Sequence, residues 1–391
     1  MLAQGACEMK VKWVILAVLM AFLVPAMISR SRAVNTDQID NVRDKDSLTN
    51  EDLQIIDDFL AQAVQELVRT RDFTSVAKIR TVIVSKRSAQ TQYAKQFSQS
   101  AHKHISQGLE QAKLLPEERQ FKVTLNLLIL ADNLVDPALT DLAMAYLKDQ
   151  NKAIRYWAVR CLTNPGLVEL LNPGVPGALQ LTRRILQQLG DLIDTSGTEI
   201  LALITDFAAR IGIQEGDDLL GRTVDVRVKR YADWTVEYEL LDGAILKLLY
   251  AKLASAGPAA PAVTMSRSKA EIARRFGQLY SYVMQRYIKG ADSLTDLQKH
   301  HLASVLAETE DKCIQRLLQT PQSVIRRAIE RADYRALQAE YDRLFGSAAA
   351  AGALATNLNF DYGTDPAGNK LVAPLPLPNP PPRSAPKPPT N

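Results

Sequence analysis

The sequence from residue 137 to residue 162 is PALTDLAMAYLKDQNKAIRYWAVRCL. Its first half has apolar side chains at helical spacing, namely Leu139, Leu142, Ala143, Tyr146 and Leu147. Its second half repeats this spacing with Ile154, Trp157, Ala158, Cys161 and Leu162. Such spacing puts the apolar side chains on one side of each helix. Because only the polar residues 148–152 separate the two predicted helices, we expect them to fold back on each other as an antiparallel hairpin.

Neither helix of this hairpin can bury its apolar stripe alone, so the hairpin needs neighbours of the same kind. The stretch also resembles a HEAT repeat, in which a proline opens the first helix and an arginine comes six residues after the Asp of a Leu-x-Asp turn. The residues that match are Pro137, Leu147, Asp149, Ile154, Arg155, Ala158 and Leu162. The resemblance covers one repeat and implies a HEAT-like α-solenoid of stacked hairpins. It also implies structural roles for Ala158 and Leu162, and a polar ladder of Asp149 and Arg155 between successive hairpins.

The composition agrees with an all-α fold. Of the 391 residues 47% are hydrophobic, 23% are charged and only 6% are aromatic. Few aromatic residues beside abundant Ala and Leu favour helix over sheet, and the length allows one large core or two smaller ones. The formal net charge is +4, of which about +1 remains beyond the first 33 residues. Neither value indicates nucleic-acid binding.

The N-terminal segment predicts export. Lys10 and Lys12 precede an apolar run over residues 13–28, and small residues follow it. This order predicts a secretory signal peptide over residues 1–33. The alternatives are an uncleaved anchor in the inner membrane and a buried core helix, although the run is shorter than the roughly 20 residues that span a bilayer. We therefore expect a protein of the periplasm or cell envelope that contacts a membrane only if residues 13–28 are retained.

A linker over residues 34–46 leads into a helical repeat domain predicted over residues 47–346. Thr49 followed by Asp52 predicts a capping box at the start of its first helix, and Asp72 predicts the cap of the next helix. Residues 254–263, ASAGPAAPAV, predict a flexible joint where this domain would divide.

Residues 222–240 fit two structures. Val224, Val226 and Val228 alternate with charged residues, and this pattern predicts one arm of a short β-hairpin. The competing pattern is a helical stripe behind Asp233 as cap, formed by Trp234, Tyr238, Leu241, Ile245 and Leu248. We favour a helix over residues 233–254 and keep the short β-hairpin near residues 222–240 as the alternative.

The C-terminal residues 347–391 are rich in alanine and proline. Ten of the chain's 19 prolines follow Asp365, and such a segment predicts a disordered tail with polyproline II character. Pro378, Pro381 and Arg383 match a P-x-x-P-x-R ligand pattern. We interpret that match as accidental in an exported protein and the tail as a semi-rigid spacer.

No pattern of catalytic or metal-binding residues emerges. His102 and His104 lie two residues apart on a predicted helix, and His300 and His301 are adjacent, so neither pair can hold one metal ion. The sequence has no HExxH, CxxC, nucleophile elbow or phosphate loop. We expect no catalytic residue, no metal site and no cofactor. Two basic groups are interpreted as solvated faces: Arg222, Arg227, Lys229 and Arg230, and Arg267, Lys269, Arg274, Arg275, Arg286 and Lys289.

Cys161 and Cys313 leave two alternatives open. They could pair, but Cys161 on an apolar helix face fits a small core residue better.

These observations together predict a non-catalytic helical-repeat scaffold that binds protein partners in the cell envelope. One alternative is an envelope hydrolase or lyase whose site is not visible as a motif. The other is a membrane-tethered spacer. The sequence identifies neither a partner nor a small-molecule ligand.

Overall fold

The structure, a computed structural model, describes residues 36–171, 177–254, 267–319, 321, 323–365 and 367–381. The predicted signal peptide or anchor lies outside these residues, and so does most of the predicted joint at residues 254–263. Over the described residues the fold is all-α, as predicted, with one small antiparallel two-stranded sheet. No helix in this part of the chain is long and apolar enough to cross a membrane.

The chain forms two compact units, Met1–Leu139 and Thr140–Asn391, so the boundary falls inside the predicted hairpin. The described helices of unit 1 are α1 (Asp37–Arg43), α2 (Asn50–Arg69), α3 (Phe73–Ser85), α4 (Thr91–Ala112) and α5 (Glu117–Leu134), with a 3₁₀ turn at Pro137–Leu139. Helix α2 packs against α1, α3, α4 and α5, and α5 also packs against α3 and α4. Gly108 in α4 allows α2 and α5 to approach this helix closely, since a Cβ there would lie 3.1 Å from Val64 Cγ1 and 3.2 Å from Leu127 Cδ1.

Both predicted caps in unit 1 are confirmed. The Thr49 N–H donates to Asp52 Oδ2 at 2.9 Å, and the Asp52 N–H donates to Thr49 Oγ1 at 3.3 Å, which completes the capping box of α2. The Ser75 N–H donates to Asp72 Oδ2 at 2.7 Å at the start of α3. Such bonds satisfy amides that have no partner inside the helix.

Unit 2 contains the remaining described helices. They are α6 (Thr140–Met144), α7 (Lys152–Leu162), α8 (Pro165–Leu171), α9 (Ala178–Gly190), α10 (Thr198–Arg210), α11 (Gln214–Ala232), α12 (Leu240–Ala254), α13 (Arg267–Lys289), α14 (Asp296–Thr309), α15 (Gln315–Leu317), α16 (Val324–Glu330), α17 (Tyr334–Phe345) and α18 (Ala353–Leu358). A 3₁₀ turn, Ile193–Thr195, precedes α10, and a π-helical turn, Glu310–Ile314, links α14 to α15.

The stretch 137–162 forms two packed helices, α6 and α7, although the first is shorter than its apolar pattern predicts. The Asn151 side chain begins α7 by accepting the Ala153 N–H at 2.9 Å. Ala158 and Leu162 are both 0% exposed, and α7 packs against α10 as well as α6. Both side chains therefore lie in the core, and the structural role that the HEAT resemblance implies for them stays a prediction.

Residues 222–240 form neither the β-hairpin nor the helix start at Asp233. Instead α11 continues to Ala232, residues 233–239 form a loop, and α12 begins at Leu240. Val224, Arg227 and Tyr231 are each 0% exposed, at the spacing of one helix face. The valine alternation therefore belongs to a helix whose buried face includes an arginine.

Helix α13 is central to unit 2, because it packs against α11, α12, α14, α17 and α18. Phe276, Leu279, Tyr280 and Val283 on this helix are each 0% exposed. Because these five helices cover α13, only a narrow strip of its surface is left for other contacts.

In its described part, residues 347–365 and 367–381, the tail contacts the helical body, which differs from the disorder predicted over residues 347–391. Strands β1 (Gly346–Ser347) and β2 (Ala350–Ala351) pair antiparallel before α18. Beyond them Leu354, Tyr362 and Leu377 are only 0%, 6% and 1% exposed. This part of the tail is ordered because the helical body covers these apolar side chains. The local composition of the tail carries no information about that burial.

Candidate peptide-binding surface on α13

Residues 371–381 lie in unit 2 as an extended segment with no helix or strand. Within it Pro374 and Leu377 are buried and Pro380 is half-buried, whereas Leu375 and Pro376 are exposed. Burial at every third residue matches the period of a polyproline II helix, whose φ angle proline favours. One edge of this segment therefore contacts the protein and the other edges face solvent.

Two glutamines and a lysine of α13 bond to the backbone of this segment. The Leu375 N–H donates to Gln278 Oε1 at 3.1 Å, and Gln278 Nε2 donates to the Leu375 carbonyl at 3.4 Å. The Leu377 N–H donates to Gln285 Oε1 at 2.8 Å, and Lys289 Nζ donates to the Leu377 carbonyl. Since proline has no N–H, these bonds satisfy every backbone donor of residues 375–378.

Trp234, in the α11–α12 loop (residues 233–239), is the fourth side chain that bonds to this segment. Its indole Nε1 donates to the Pro378 carbonyl at 3.0 Å. The Arg286 guanidinium lies 5.2 Å from the Trp234 ring centroid and 5.7 Å from that of Tyr231. This cation–π contact supports the indole. We call the side chains of Trp234, Gln278, Gln285 and Lys289 the tail-binding surface.

Trp234 and Tyr238 in this loop have left-handed backbone, each with φ of 56°. Tyr238 is 60% exposed and packs edge-to-face on His301 with ring centroids 6.1 Å apart. The loop thus holds two bulky residues in a conformation that L-residues seldom adopt.

A buried ion pair lies next to the loop. Arg227 Nε and Nη2 donate to Asp242 Oδ1 and Oδ2, both at 2.7 Å, and both side chains are fully buried. Tyr231 OH donates to Asp242 Oδ2 at 2.7 Å, and Arg227 Nη1 donates to the Glu237 carbonyl at 3.1 Å. Burial acts to lower the pKa of Arg227, but the Asp242 carboxylate outweighs it and the pKa is raised. Burial, and then Asp242, raises the pKa of Tyr231 well above its ordinary value. The Arg227 guanidinium therefore stays protonated and the Tyr231 phenol stays neutral.

A second buried arginine is less completely bonded. Arg286 is 2% exposed, and its Nη2 lies 3.4 Å from both Glu239 Oε1 and the Val236 carbonyl. Among the described residues, its Nε and Nη1 have no hydrogen-bond partner. Burial lowers the pKa of Arg286, although Tyr231 and Glu239 oppose the change. Glu239 Oε2 also lies 3.7 Å from His301 Nδ1. These contacts attach the α11–α12 loop to α13 and α14.

The chain just before the extended segment is anchored to α13 as well. Arg274 Nε donates to the Asp361 carbonyl at 2.9 Å, and Arg274 Nη2 donates to Asp361 Oδ1 at 3.3 Å. Gly277 leaves room for the aromatic side chains that follow, since a Cβ there would lie 2.8 Å from Tyr362 Oη and 3.3 Å from Phe360 Cζ. The described part of the tail therefore contacts α13 from Arg274 to Lys289.

The structure joins Asp149 and Arg155 through the backbone of one hairpin. Arg155 Nη1 donates to the Asp149 carbonyl at 2.6 Å and to the Gln150 carbonyl at 3.1 Å. The Asp149 carboxylate accepts the Asn151 N–H at 2.8 Å. The two residues thus tie the turn to α7, and the polar ladder between hairpins stays a prediction.

Two clefts lined by described residues lie away from the tail-binding surface. One in unit 1 has a volume of about 640 Å³ and a largely apolar lining that includes Leu67, Phe73 and Val123. The other, in unit 2, has a volume of about 750 Å³ and a polar lining that includes Arg155, Glu199, Arg230, Thr235 and Glu237. We call the second the polar cleft. Two residues of the α11–α12 loop form part of its wall.

His104, Cys161 and Cys313 lie in the interior of the protein. His104 is buried, with Nε2 3.0 Å from Asp57 Oδ1 and Nδ1 3.1 Å from Gln107 Oε1. Cys161 and Cys313 are both buried and form no disulfide with each other. Burial raises the pKa of Cys313 to about 12. Within the described part of the chain, no three His, Cys, Asp or Glu residues lie close enough together to hold a metal ion.

Sequence reasoning missed the tail-binding surface and misplaced two arginines. Arg227 and Arg286 were assigned to solvated faces, but they are 0% and 2% exposed. The helical register of Val224 and Tyr231 could have indicated that Arg227 is buried. Likewise Gln278, Gln285 and Lys289 lie seven and then four residues apart, which places them on one side of α13.

Comparisons with known proteins add little to this description. No protein-family model matches the chain, and no curated protein matches it. A solved crystal structure of an engineered protein from the Northeast Structural Genomics Consortium is 13% identical, covers 84% of this chain and 95% of its own, and has a TM-score of 0.23. A score that low does not establish a shared fold, so we infer nothing from this likeness.

Proposed function

We propose that the protein is a non-catalytic helical scaffold that binds other proteins through extended segments of their chains. The observation that carries the proposal is the attachment of residues 375–378 to the tail-binding surface through backbone hydrogen bonds. Grooves that bind proline-rich segments use aromatic side chains and donors to proline-flanked carbonyls in this way. A surface built to hold an extended backbone is suited to unstructured parts of partner proteins.

The architecture supports a scaffold. Packed neighbouring helices and the HEAT-like residues at 137–162 are features of stacks that bind proteins along extended surfaces. The apolar run over residues 13–28 supports a site of action in the periplasm or cell envelope, with the chain either released or held at the inner membrane.

The surroundings of the buried carboxylates support a structural role for them. Asp242 is 0% exposed and paired with Arg227, and Glu239 is 1% exposed beside Arg286. A general acid or base must reach its substrate, whereas these groups hold helices and a loop together. For this reason we favour the scaffold over the hydrolase or lyase alternative.

The proposal is tested by affinity capture from the envelope fraction of the source organism. Two full-length baits are compared, Leu377→Asp, which releases the tail, and the double variant Leu377→Asp/Gln285→Ala. We expect polypeptides that bind the first bait saturably and are lost from the second. If the same polypeptides bind both baits, or if none binds saturably, the proposal is wrong.

A further inference from the structure

We infer that the tail-binding surface is a site for proline-rich segments of another protein, with the pattern Pro-x-Pro-Leu-Pro, and that this chain's own residues 374–378 occupy it as an internal competitor. The inference rests on the function proposed above and specifies its ligand. Its basis is that buried and exposed side chains follow a fixed order along the bound segment, and that the backbone groups of Leu375, Leu377 and Pro378 bond to the surface.

Side-chain burial defines the apolar positions of the ligand. Leu377 is 1% exposed and Pro374 is also buried, whereas Leu375 is 46% exposed. Burial of a leucine contributes about 1.5–3 kcal/mol, so position 377 requires an apolar side chain. Position 375 tolerates many side chains.

Backbone donors define where proline is allowed. The N–H groups of Leu375 and Leu377 each bond to a glutamine, so proline at either position would remove a bond. Pro376 and Pro378 have no N–H to leave unpaired, and they favour the extended conformation that the surface binds. The two requirements together give Pro-x-Pro-Leu-Pro, in which x is any residue except proline.

The surface is organised in advance for these bonds. Gln285 Nε2 donates to Ser281 Oγ at 3.0 Å and to Tyr341 Oη at 2.9 Å. Because its amide nitrogen is engaged there, Gln285 Oε1 is directed at the ligand as an acceptor. Side chains that are already fixed lose little conformational entropy on binding.

The chain's own segment competes with an external ligand because it is tethered. A short tether gives an effective concentration of the order of millimolar, which an external segment must exceed. Weakening the internal segment should therefore expose the surface and increase binding of an added peptide.

The test uses a fluorescein-labelled synthetic peptide, VAPLPLPNPP, corresponding to residues 372–381, and full-length protein. Fluorescence anisotropy should show binding to the Leu377→Asp variant that is at least about tenfold tighter than to wild type. Adding Gln285→Ala, or separately Gln278→Ala at the surface edge, should weaken binding to that variant about tenfold or more. Circular dichroism verifies that each variant is folded.

Altered peptides test the pattern. A peptide with alanine in place of Leu375 should bind like the original, since that side chain is exposed. A peptide with proline there should bind at least about tenfold more weakly, because the bond from the backbone N–H to Gln278 Oε1 is lost. A peptide with aspartate in place of Leu377 should not bind detectably.

The inference is overturned if the original peptide binds wild type and Leu377→Asp equally, or if the glutamine variants leave binding unchanged. It is also overturned if wild type sediments as a dimer that Leu377→Asp dissociates while no peptide binds, because a second copy would then be the occupant. If captured polypeptides still require Gln285 while the synthetic peptides fail, only this ligand assignment falls and the proposed function stands.

Discussion

Arg227 and Asp242 are two charges taken fully out of water, so each depends on the other. Removing one partner of such a pair leaves an uncompensated buried charge, which costs about 3–5 kcal/mol. We predict that Asp242→Leu lowers the free energy of unfolding of unit 2 by this amount, because Arg227 and Tyr231 both lose their acceptor. Urea denaturation followed by tryptophan fluorescence measures the loss.

The matched control for this pair is Arg275→Met. Arg275 pairs with Asp225 at 3.0 Å, but the side chains are 28% and 56% exposed. An exposed pair contributes at most about 1 kcal/mol. A loss in Asp242→Leu no larger than that in Arg275→Met would show that the buried pair is not what stabilises the α11–α12 junction.

Asp52 gives unit 1 a defined acid sensitivity. The bonds from Lys45 and Thr49 lower its pKa from 3.8 to about 2. Because the folded pKa lies below the unfolded pKa, the stabilisation is present above about pH 4 and is lost as the pH falls towards about 2. We predict that Asp52→Asn flattens the pH dependence of the urea midpoint of unit 1 in this window. An unchanged slope would assign the acid sensitivity to other carboxylates.

Single residues were predictable where their partners are close in sequence. Thr49 and Asp72 bond to amides three residues away, and cap preferences describe such contacts directly. Arg227 bonds to a carboxylate 15 residues away in another helix. No local preference encodes that pairing, and an arginine is ordinarily expected at the surface.

At the scale of elements, Gly277 on α13 allows a test of how closely the tail packs on this helix. We predict that Gly277→Ala displaces Phe360 and Tyr362, since the added Cβ would lie within 2.8 Å of Tyr362 Oη. Limited proteolysis should then cleave the chain between residues 360 and 381 faster than in wild type. Gly212→Ala is the control, because a Cβ there meets nothing within 4 Å. Equal cleavage in both variants would contradict the close packing of the tail on α13.

Apolar spacing predicted the helices, but it predicted neither the α11–α12 loop nor the order of the tail. The loop has two aromatic residues in left-handed backbone, Trp234 and Tyr238, a conformation for which sequence rules expect glycine or asparagine. The tail is ordered through contacts with glutamines nearly a hundred residues away. Its proline content predicts an extended conformation but says nothing about which residues cover the tail.

At the scale of the whole molecule, the buried thiol of Cys313 reports the opening of the core of unit 2. Cys313 is 0% exposed, and burial raises its pKa to about 12, so thiolate is scarce in the folded state at neutral pH. We predict that a thiol reagent labels Cys313 only as unit 2 unfolds, and that Asp242→Leu accelerates labelling. Mass spectrometry of the labelled peptides measures the rate. Rapid labelling in native wild type would contradict this burial.

The division into two units was not predictable from composition. The sequence has its clearest linker signals at residues 254–263, whereas the units meet between Leu139 and Thr140, inside an apolar stretch. Linker composition reports local flexibility, but a unit boundary depends on which helices share a core. That information is distributed over the whole chain.

The left-handed residues of the α11–α12 loop have a consequence for communication within unit 2. Such backbone costs about 1–2 kcal/mol per residue, so the loop keeps its shape only through its contacts, of which the bond from Trp234 to Pro378 is one. When the tail departs, amide hydrogens of residues 234–239 should exchange with solvent deuterium sooner than those around Leu302 in α14. Because Thr235 and Glu237 also line the polar cleft, departure of the tail from α13 would alter the outline of a second, separate recess.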